Sequence, residues 1–161
     1  DMRSYLPCLT GRVVGSLDRS ERFLWDFRRT LADLFQTEYV GTFRDLCRAS
    51  GLLLSIEPYG GGNFNHLEIA RDADIPMGEF WTDAPKRYGW TSKLAASAAH
   101  AHGRKFVGAE AFTAAPTSAW VSHPRSMKSQ GDLAFTQGIN RFIFHTFVHQ
   151  PWEGVLPGMT M

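Results

Sequence analysis

The stretch Phe106-Val107-Gly108-Ala109-Glu110 decides the fold, because it is a short, continuous apolar run that ends on a carboxylate. Runs of this length are typical of strands buried on both faces, as in parallel sheets that helices cover. Three further runs repeat the pattern, at residues 52–57, 75–79 and 142–145. They end on Glu57, Glu79 and His145. The sequence therefore predicts several buried strands, each ending on a polar side chain suited to catalysis.

Helical patterns separate these runs. Apolar spacing, caps and stop signals predict helices over residues 21–35, 40–49, 65–72, 93–102 and 126–137, and strands over residues 52–57, 75–79, 105–110 and 141–146. Residues 1–18 are predicted to be irregular. Alternating strands and helices favour a parallel α/β sheet with right-handed crossovers. Four parallel strands with flanking helices make either a small open sheet or part of a (β/α)₈ barrel.

Composition restricts the class of protein. The chain has 161 residues, of which 43% are hydrophobic and 20% charged, as expected for one globular domain over residues 1–161. A net charge of +1 gives no support for binding nucleic acid or an anionic membrane surface. No apolar stretch is long enough for a membrane span, and the N-terminus lacks the apolar core of a signal peptide. We expect Cys8 and Cys47 to be free thiols.

The three glutamates predict an active site. In barrels built from such strands, the active site lies at the C-terminal ends of the strands. Glycoside hydrolysis needs two carboxyl groups, one as acid and one as base or nucleophile, and Glu57, Glu79 and Glu110 could supply them. Crowded carboxylates raise one another's pKa unless a cation such as Ca²⁺ neutralises them. The alternative for each glutamate is a salt bridge to a Lys or Arg at the edge of the sheet.

Several side chains near these glutamates are candidates for binding substrate. They are Tyr59, Trp81, His145, His149 and Trp152. An aromatic content of 13% fits rings that line a sugar-binding cleft, but it also fits a large core. We expect Trp81, Trp90, Trp120 and Trp152 to lie in loops, with one or two of them stacking on sugar. A nucleotide site is disfavoured, because Gly60-Gly61-Gly62 lacks the spacing of a dinucleotide-binding turn.

A series of ordered motifs carries a family resemblance over nearly the whole chain. The motifs are ERFLWDFRRT (21–30), EPYGG (57–61), DIPMGEFW (74–81), KLAASAAH (93–100), GAEAFT (108–113), GDLAF (131–135), GINRF (138–142), HQPW (149–152) and PGMTM (157–161). With them the sequence resembles the catalytic-domain core of glycoside hydrolase family 106, the α-L-rhamnosidases.

The resemblance implies part of a (β/α)₈ catalytic domain within a larger, multidomain bacterial enzyme. It implies inverting cleavage of terminal α-L-rhamnose from a glycan or rhamnoside, with Ca²⁺ in the active site. By motif, Glu110 is the best candidate for the general base. Glu79 and Glu57 are catalytic or calcium-linked carboxylates. Which carboxylate is the acid stays open, and an acid upstream of residue 1 is one alternative.

The resemblance also carries expectations about the protein outside this chain. Relatives are commonly exported, so a periplasmic or extracellular parent enzyme is implied. Enzymes of this family are much longer than 161 residues, and we expect this piece to be inactive by itself. Two other readings stay open. One is a different barrel glycosidase, such as a retaining, β-galactosidase-like enzyme, and the other is a non-catalytic carbohydrate-binding fragment.

Overall fold

A single parallel sheet organises the chain. The computed structural model describes residues 1–83, 89–118, 120–146 and 151–154. Its four strands lie in the order β1-β2-β3-β4, and every neighbouring pair is parallel. The strands are β1 (Ser55–Ile56), β2 (Ile75–Trp81), β3 (Gly108–Thr113) and β4 (Arg141–Phe144). This arrangement confirms the predicted fold class of about four parallel strands with flanking helices.

Helices alternate with the strands as the sequence predicted. The α-helices are α1 (Leu17–Leu34), α2 (Gly41–Ala49), α3 (His66–Ala70), α4 (Gly89–Ala101) and α5 (Pro124–Thr136). A π-helical segment, Phe35–Val40, joins α1 to α2, and a short 3₁₀ helix, Pro116–Ser118, follows β3. None of the helices in the described ranges is long and apolar enough to cross a membrane. Cys8 and Cys47 are free thiols, as expected.

The prediction that residues 1–18 are irregular is wrong for their first half. Met2–Thr10 forms a 3₁₀ helix that contains Pro7. The Asp1 carboxylate accepts a hydrogen bond from the backbone N–H of Arg3 at 3.0 Å and so caps its first turn. Pro7 fits a 3₁₀ segment because its fixed φ is close to the helical value.

The two faces of the central strands have different roles. On one face, Phe80, Ala109 and Ala111 are buried in the main core, together with alanines of α4 and α5. Small side chains on both sides let the helices approach the sheet closely. Successive strand residues point to opposite faces, so Glu79 and Glu110 lie on the other face. The sheet thus has a helix-covered side and a side that carries the carboxylates.

The expected position of the glutamates needs a correction. β2 continues to Trp81 and β3 continues to Thr113, so Glu79 and Glu110 lie within their strands rather than at the ends. The ladder goes on because the backbone N–H of Thr82 donates to the Thr113 carbonyl at 2.9 Å. Only Glu57 and His145 directly follow a strand. The expectation of burial on both faces is met only in part: β2 and β3 are buried on the helix-covered face and mostly half-buried on the other, whereas β4 is largely exposed.

α4 begins earlier than the sequence indicated. It starts at Gly89, so Trp90 and Thr91 belong to its first turn, and Trp90 does not lie in a loop. The cause is a close approach at Gly78 of β2. A Cβ added to Gly78 would lie 2.6 Å from the backbone N of Ser92 and 2.6 Å from the carbonyl carbon of Thr91. The glycine therefore leaves room for the first turn of α4 to rest on the strand.

Candidate active site

Glu79 and Glu110 are neighbours across the centre of the sheet. They are paired Cα positions of β2 and β3, and neighbouring strands lie about 4.8 Å apart. Paired residues of parallel strands share a face, so both carboxylates point to the side that the described helices leave open. Glu79 is 8% exposed, and the Glu110 side chain is 25% exposed. The register thus places a buried carboxylate beside a more accessible one.

Glu79 is fixed at its backbone and at its side chain. Its N–H donates to the Thr91 hydroxyl at 2.8 Å, and that hydroxyl donates to the Glu79 carbonyl at 3.1 Å. The indole N–H of Trp81 donates to Glu79 Oε2 at 3.0 Å. Glu79 therefore has one carboxylate oxygen occupied and little freedom to reorient.

An irregularity in β3 positions a partner for Glu110. The register between β2 and β3 shifts after Glu79, and Phe112 adopts a left-handed φ of 62°. Such bulges redirect side chains, and strained backbone of this kind is concentrated at functional sites. Here the shift brings the Thr113 hydroxyl to Glu110 Oε1, with a hydrogen bond of 2.5 Å. His145 Nδ1 lies 3.9 Å from the same oxygen.

Glu57, which follows β1, completes the group of carboxylates. Part of the residue is exposed, yet the surrounding protein removes water from its carboxyl group and raises its pKa to about 7. Repulsion from Glu110, and to a smaller extent from Glu79, raises the pKa further, while a hydrogen bond from Tyr59 opposes the shift. The electrostatic coupling shows that the three carboxylates share one region.

The salt-bridge alternative is not supported by the geometry. Throughout the described ranges, no Lys or Arg forms an ion pair with Glu57, Glu79 or Glu110. The side chain that faces Glu110 at ion-pair distance is His145, which carries a charge only when it is protonated. A group of carboxylates that the described Lys and Arg residues leave unpaired is costly for stability alone, and it is typical of acid–base sites.

Comparison with known proteins identifies the family. A family model described as alpha-L-rhamnosidase matches residues 1–161. The chain belongs to glycoside hydrolase family 106. This match confirms the resemblance that the sequence motifs carried.

Two relatives show how much of a family 106 protein this chain represents. The solved structure of a rhamnosidase from Novosphingobium sp. PP1Y superimposes with a TM-score of 0.83 and 37% identity, over 95% of this chain and 15% of that one. A protein of Formosa agariphila, provisionally named a beta-glucuronidase, is 48% identical over 158 residues. That match covers 98% of this chain and 13% of the relative. The chain thus spans a small part of each protein.

The structure brings three of the predicted substrate-binding residues of this family 106 chain to the carboxylates. Tyr59 lowers the pKa of Glu57, the Trp81 indole donates a hydrogen bond to Glu79, and His145 lies beside Glu110. Trp152 is 62% exposed, and His149 lies outside the described residues. The roles of all five in binding substrate stay predictions.

The sequence did not predict the two residues that form hydrogen bonds to Glu79 and Glu110. Thr91 and Thr113 are both buried, and each bonds to one glutamate. Neither carries a recognisable signal in the sequence, because their roles depend on the approach of α4 to Gly78 and on the irregular backbone at Phe112. Trp90 was one of four tryptophans considered for stacking on sugar, but His66 was not a candidate, although the two rings meet at 5.7 Å next to Tyr59.

Calcium binding, which the family resemblance implies, has no preformed site among the described residues. Across the part of the chain that the structure describes, no group of three or more His, Cys, Asp or Glu side chains is arranged to hold a metal ion. Glu79 and Glu57 are the predicted calcium ligands. One carboxylate oxygen of Glu79 already accepts a hydrogen bond from the Trp81 N–H. We therefore derive no catalytic step through calcium, and Ca²⁺ binding stays a prediction that chelation can test.

Proposed function

We propose that this chain carries the acid–base residues of an inverting glycoside hydrolase that removes terminal α-L-rhamnose from glycans or rhamnosides. Family membership supports the reaction class and the carbohydrate substrate. The observation that carries the mechanism is the group of three carboxylates on one face, where one, Glu57, has a pKa of about 7. Inversion requires a protonated and an ionised carboxyl group on opposite sides of the scissile bond, about 6.5–9.5 Å apart, with room for a water molecule.

Glu57 acts as the general acid in this proposal. Its pKa of about 7 keeps a large fraction of the carboxyl groups protonated near neutral pH. It follows the C-terminal end of β1, where a substrate can reach it. Its proton passes to the glycosidic oxygen as the bond between that oxygen and C1 of rhamnose breaks.

Glu110 acts as the general base. It takes a proton from a water molecule whose oxygen attacks C1 from the opposite face, so that the configuration inverts. The Thr113 hydroxyl binds one of its oxygens and fixes the orientation of the carboxylate. The side chain is 25% exposed, which leaves it accessible to water.

Glu79 acts as an electrostatic partner rather than as a proton carrier. Its backbone and one carboxylate oxygen are already bonded to Thr91 and Trp81. Its negative charge raises the pKa of Glu57 and so helps to retain the acidic proton. A general acid supplied from outside residues 1–161 is the main alternative to Glu57.

The function is tested by following hydrolysis of an aryl α-L-rhamnoside by proton NMR in the full-length protein. We expect β-L-rhamnose as the first product, which then mutarotates. First formation of α-L-rhamnose would show retention and favour a β-galactosidase-like mechanism instead. The name of the Formosa relative makes an aryl β-D-glucuronide the matched control substrate, and cleavage of that substrate alone would overturn the proposed specificity.

The non-catalytic alternative predicts a different result in the same experiment. A carbohydrate-binding protein would bind rhamnosides but release no rhamnose from any of them. Binding measured by calorimetry alongside the NMR assay separates this outcome from a protein that does not recognise rhamnose at all.

A further inference from the structure

Three rings that have no part in the proposed proton transfers lie next to Glu57. Tyr59 meets Trp90 at 5.9 Å with an interplanar angle of 69°, and His66 packs on Trp90 at 5.7 Å with an angle of 28°. We call Tyr59, His66 and Trp90 the aromatic platform. Trp90 remains 52% exposed despite both contacts. A large apolar ring is thus held in place and still open to solvent.

The platform lies at the same end of the strands as Glu57. Tyr59 and His66 follow β1, and Trp90 follows β2, so all three lie beyond the C-terminal ends of parallel strands. Trp90 directly precedes Thr91. The Thr91 hydroxyl accepts a hydrogen bond from the backbone N–H of Glu79 and donates one to the Glu79 carbonyl. His66 is fixed at the start of α3, where the Asn65 side chain accepts from the N–H of Leu67 at 3.0 Å.

The loop that carries two of these rings is shaped to place aromatic side chains. A Cβ on Gly62 would lie 1.8 Å from Cε1 of Phe64, so the glycine makes room for that ring. Phe64 in turn contacts His66 at 5.7 Å and stacks on Phe35 at 4.8 Å. The rings therefore form a continuous row that backs the platform and fixes the position of His66.

We propose that the aromatic platform binds the pyranose ring of the leaving group, that is, the sugar to which rhamnose is attached. One face of a pyranose is largely C–H and packs against an aromatic ring, while its hydroxyl groups bind water or polar side chains. The platform lies on the leaving-group side because Tyr59 follows Glu57, the residue proposed to protonate the departing oxygen, by two residues in the segment after β1. This inference rests on the proposed function and extends it to the part of the substrate that is released.

The test compares two substrates in the full-length protein. One is a disaccharide in which rhamnose is α-linked to glucose, and the other is methyl α-L-rhamnoside, whose leaving group has no ring. Trp90→Ala should lower the ratio of kcat/KM for the disaccharide to that for the methyl glycoside about tenfold, mainly through KM. Trp90→Phe should retain most of the ratio because it keeps a ring. Trp25→Ala, which removes another exposed tryptophan, on α1, should leave the ratio unchanged.

The outcomes separate the inference from the proposed function. If wild-type protein hydrolyses both substrates but Trp90→Ala keeps the wild-type ratio, the platform does not bind the leaving group. If Trp90→Ala is misfolded by circular dichroism, the ratio in His66→Ala, which removes another ring of the platform, decides: a lowered ratio is expected, and a wild-type ratio would overturn the inference. If neither substrate is hydrolysed, the proposed function fails. Calorimetric binding of the disaccharide to wild-type and Trp90→Ala protein then tests the platform independently, with about tenfold weaker binding expected in the variant.

Discussion

At the scale of single residues, the site works by giving similar carboxyl groups different surroundings. Glu57 loses water and faces two other carboxylates, which raises its pKa to about 7. Glu110 receives a hydroxyl group from Thr113, and Glu79 receives an indole N–H from Trp81. Three side chains of one type are therefore placed in three different environments, as the proposed acid–base catalysis requires. The sequence predicted that these three glutamates form a site, but their environments come from residues far away along the chain.

The pH dependence of activity tests the assignment of Glu57. We expect kcat/KM to fall as the pH rises through about 7, because the acid must be protonated in the free enzyme. Tyr59→Phe removes the hydrogen bond that lowers the pKa of Glu57, so the basic limb of the profile should move to higher pH. An unchanged basic limb in this variant would argue for an acid outside this chain.

The same pKa shift has a consequence for stability. Unfolded Glu57 loses its proton near pH 4.5, and folded Glu57 near pH 7. Between these values the unfolded state binds fewer protons, so the free energy of unfolding falls as the pH rises and becomes constant again above about 7. Chemical denaturation of Glu57→Gln over this range should lack that part of the decrease.

At the scale of elements, the glutamates depend on how α4 and the irregular part of β3 meet the sheet. The order of strands and helices follows from apolar runs and helical spacing, and the structure confirms it. The start of α4 and the shift after Glu79 were not predictable in the same way. Both arise from tertiary contacts, one at Gly78 and one at Phe112, where local preference does not decide the backbone. These contacts introduce the two threonines that hold Glu79 and Glu110.

Gly78→Ala tests the contact between α4 and β2. The added methyl group would meet the backbone of Thr91 and Ser92 at 2.6 Å, so the helix must shift away. We expect a loss of about 1–3 kcal/mol in the free energy of unfolding. Activity should fall further than stability predicts, because Thr91 would no longer hold Glu79.

Gly89→Ala, at the start of α4, is the matched control for Gly78→Ala in β2. A Cβ at Gly89 meets nothing within 4 Å, so this variant should be as stable as wild type or slightly more stable. Equal stability and activity of the Gly78→Ala variant and the Gly89→Ala control in thermal melts and rhamnoside assays would contradict the account of α4.

At the scale of the whole molecule, the chain supplies a four-stranded parallel sheet with flanking helices, a small part of a family 106 protein. The sheet order β1-β2-β3-β4 places Glu57, Glu79 and Glu110 along three successive strands. The aligned rhamnosidase and the Formosa relative are both far longer than this chain, which covers 15% and 13% of them. Closure into a (β/α)₈ barrel, bound calcium and the inactivity of this piece by itself stay predictions. Chelation should lower activity or the melting temperature of the full-length protein if calcium is bound.

The central claim is that carboxylates of this chain carry out hydrolysis, with Glu110 as the base. Glu110→Gln keeps the size of the side chain but removes its ability to accept a proton, and Glu21→Gln provides a control at an exposed position of α1. The decisive measurement is turnover of an aryl α-L-rhamnoside by these variants of the full-length protein, alongside calorimetric binding of the same substrate. We predict that Glu110→Gln abolishes turnover and leaves binding nearly intact, while Glu21→Gln behaves as wild type. Turnover by Glu110→Gln at the wild-type rate would contradict the account.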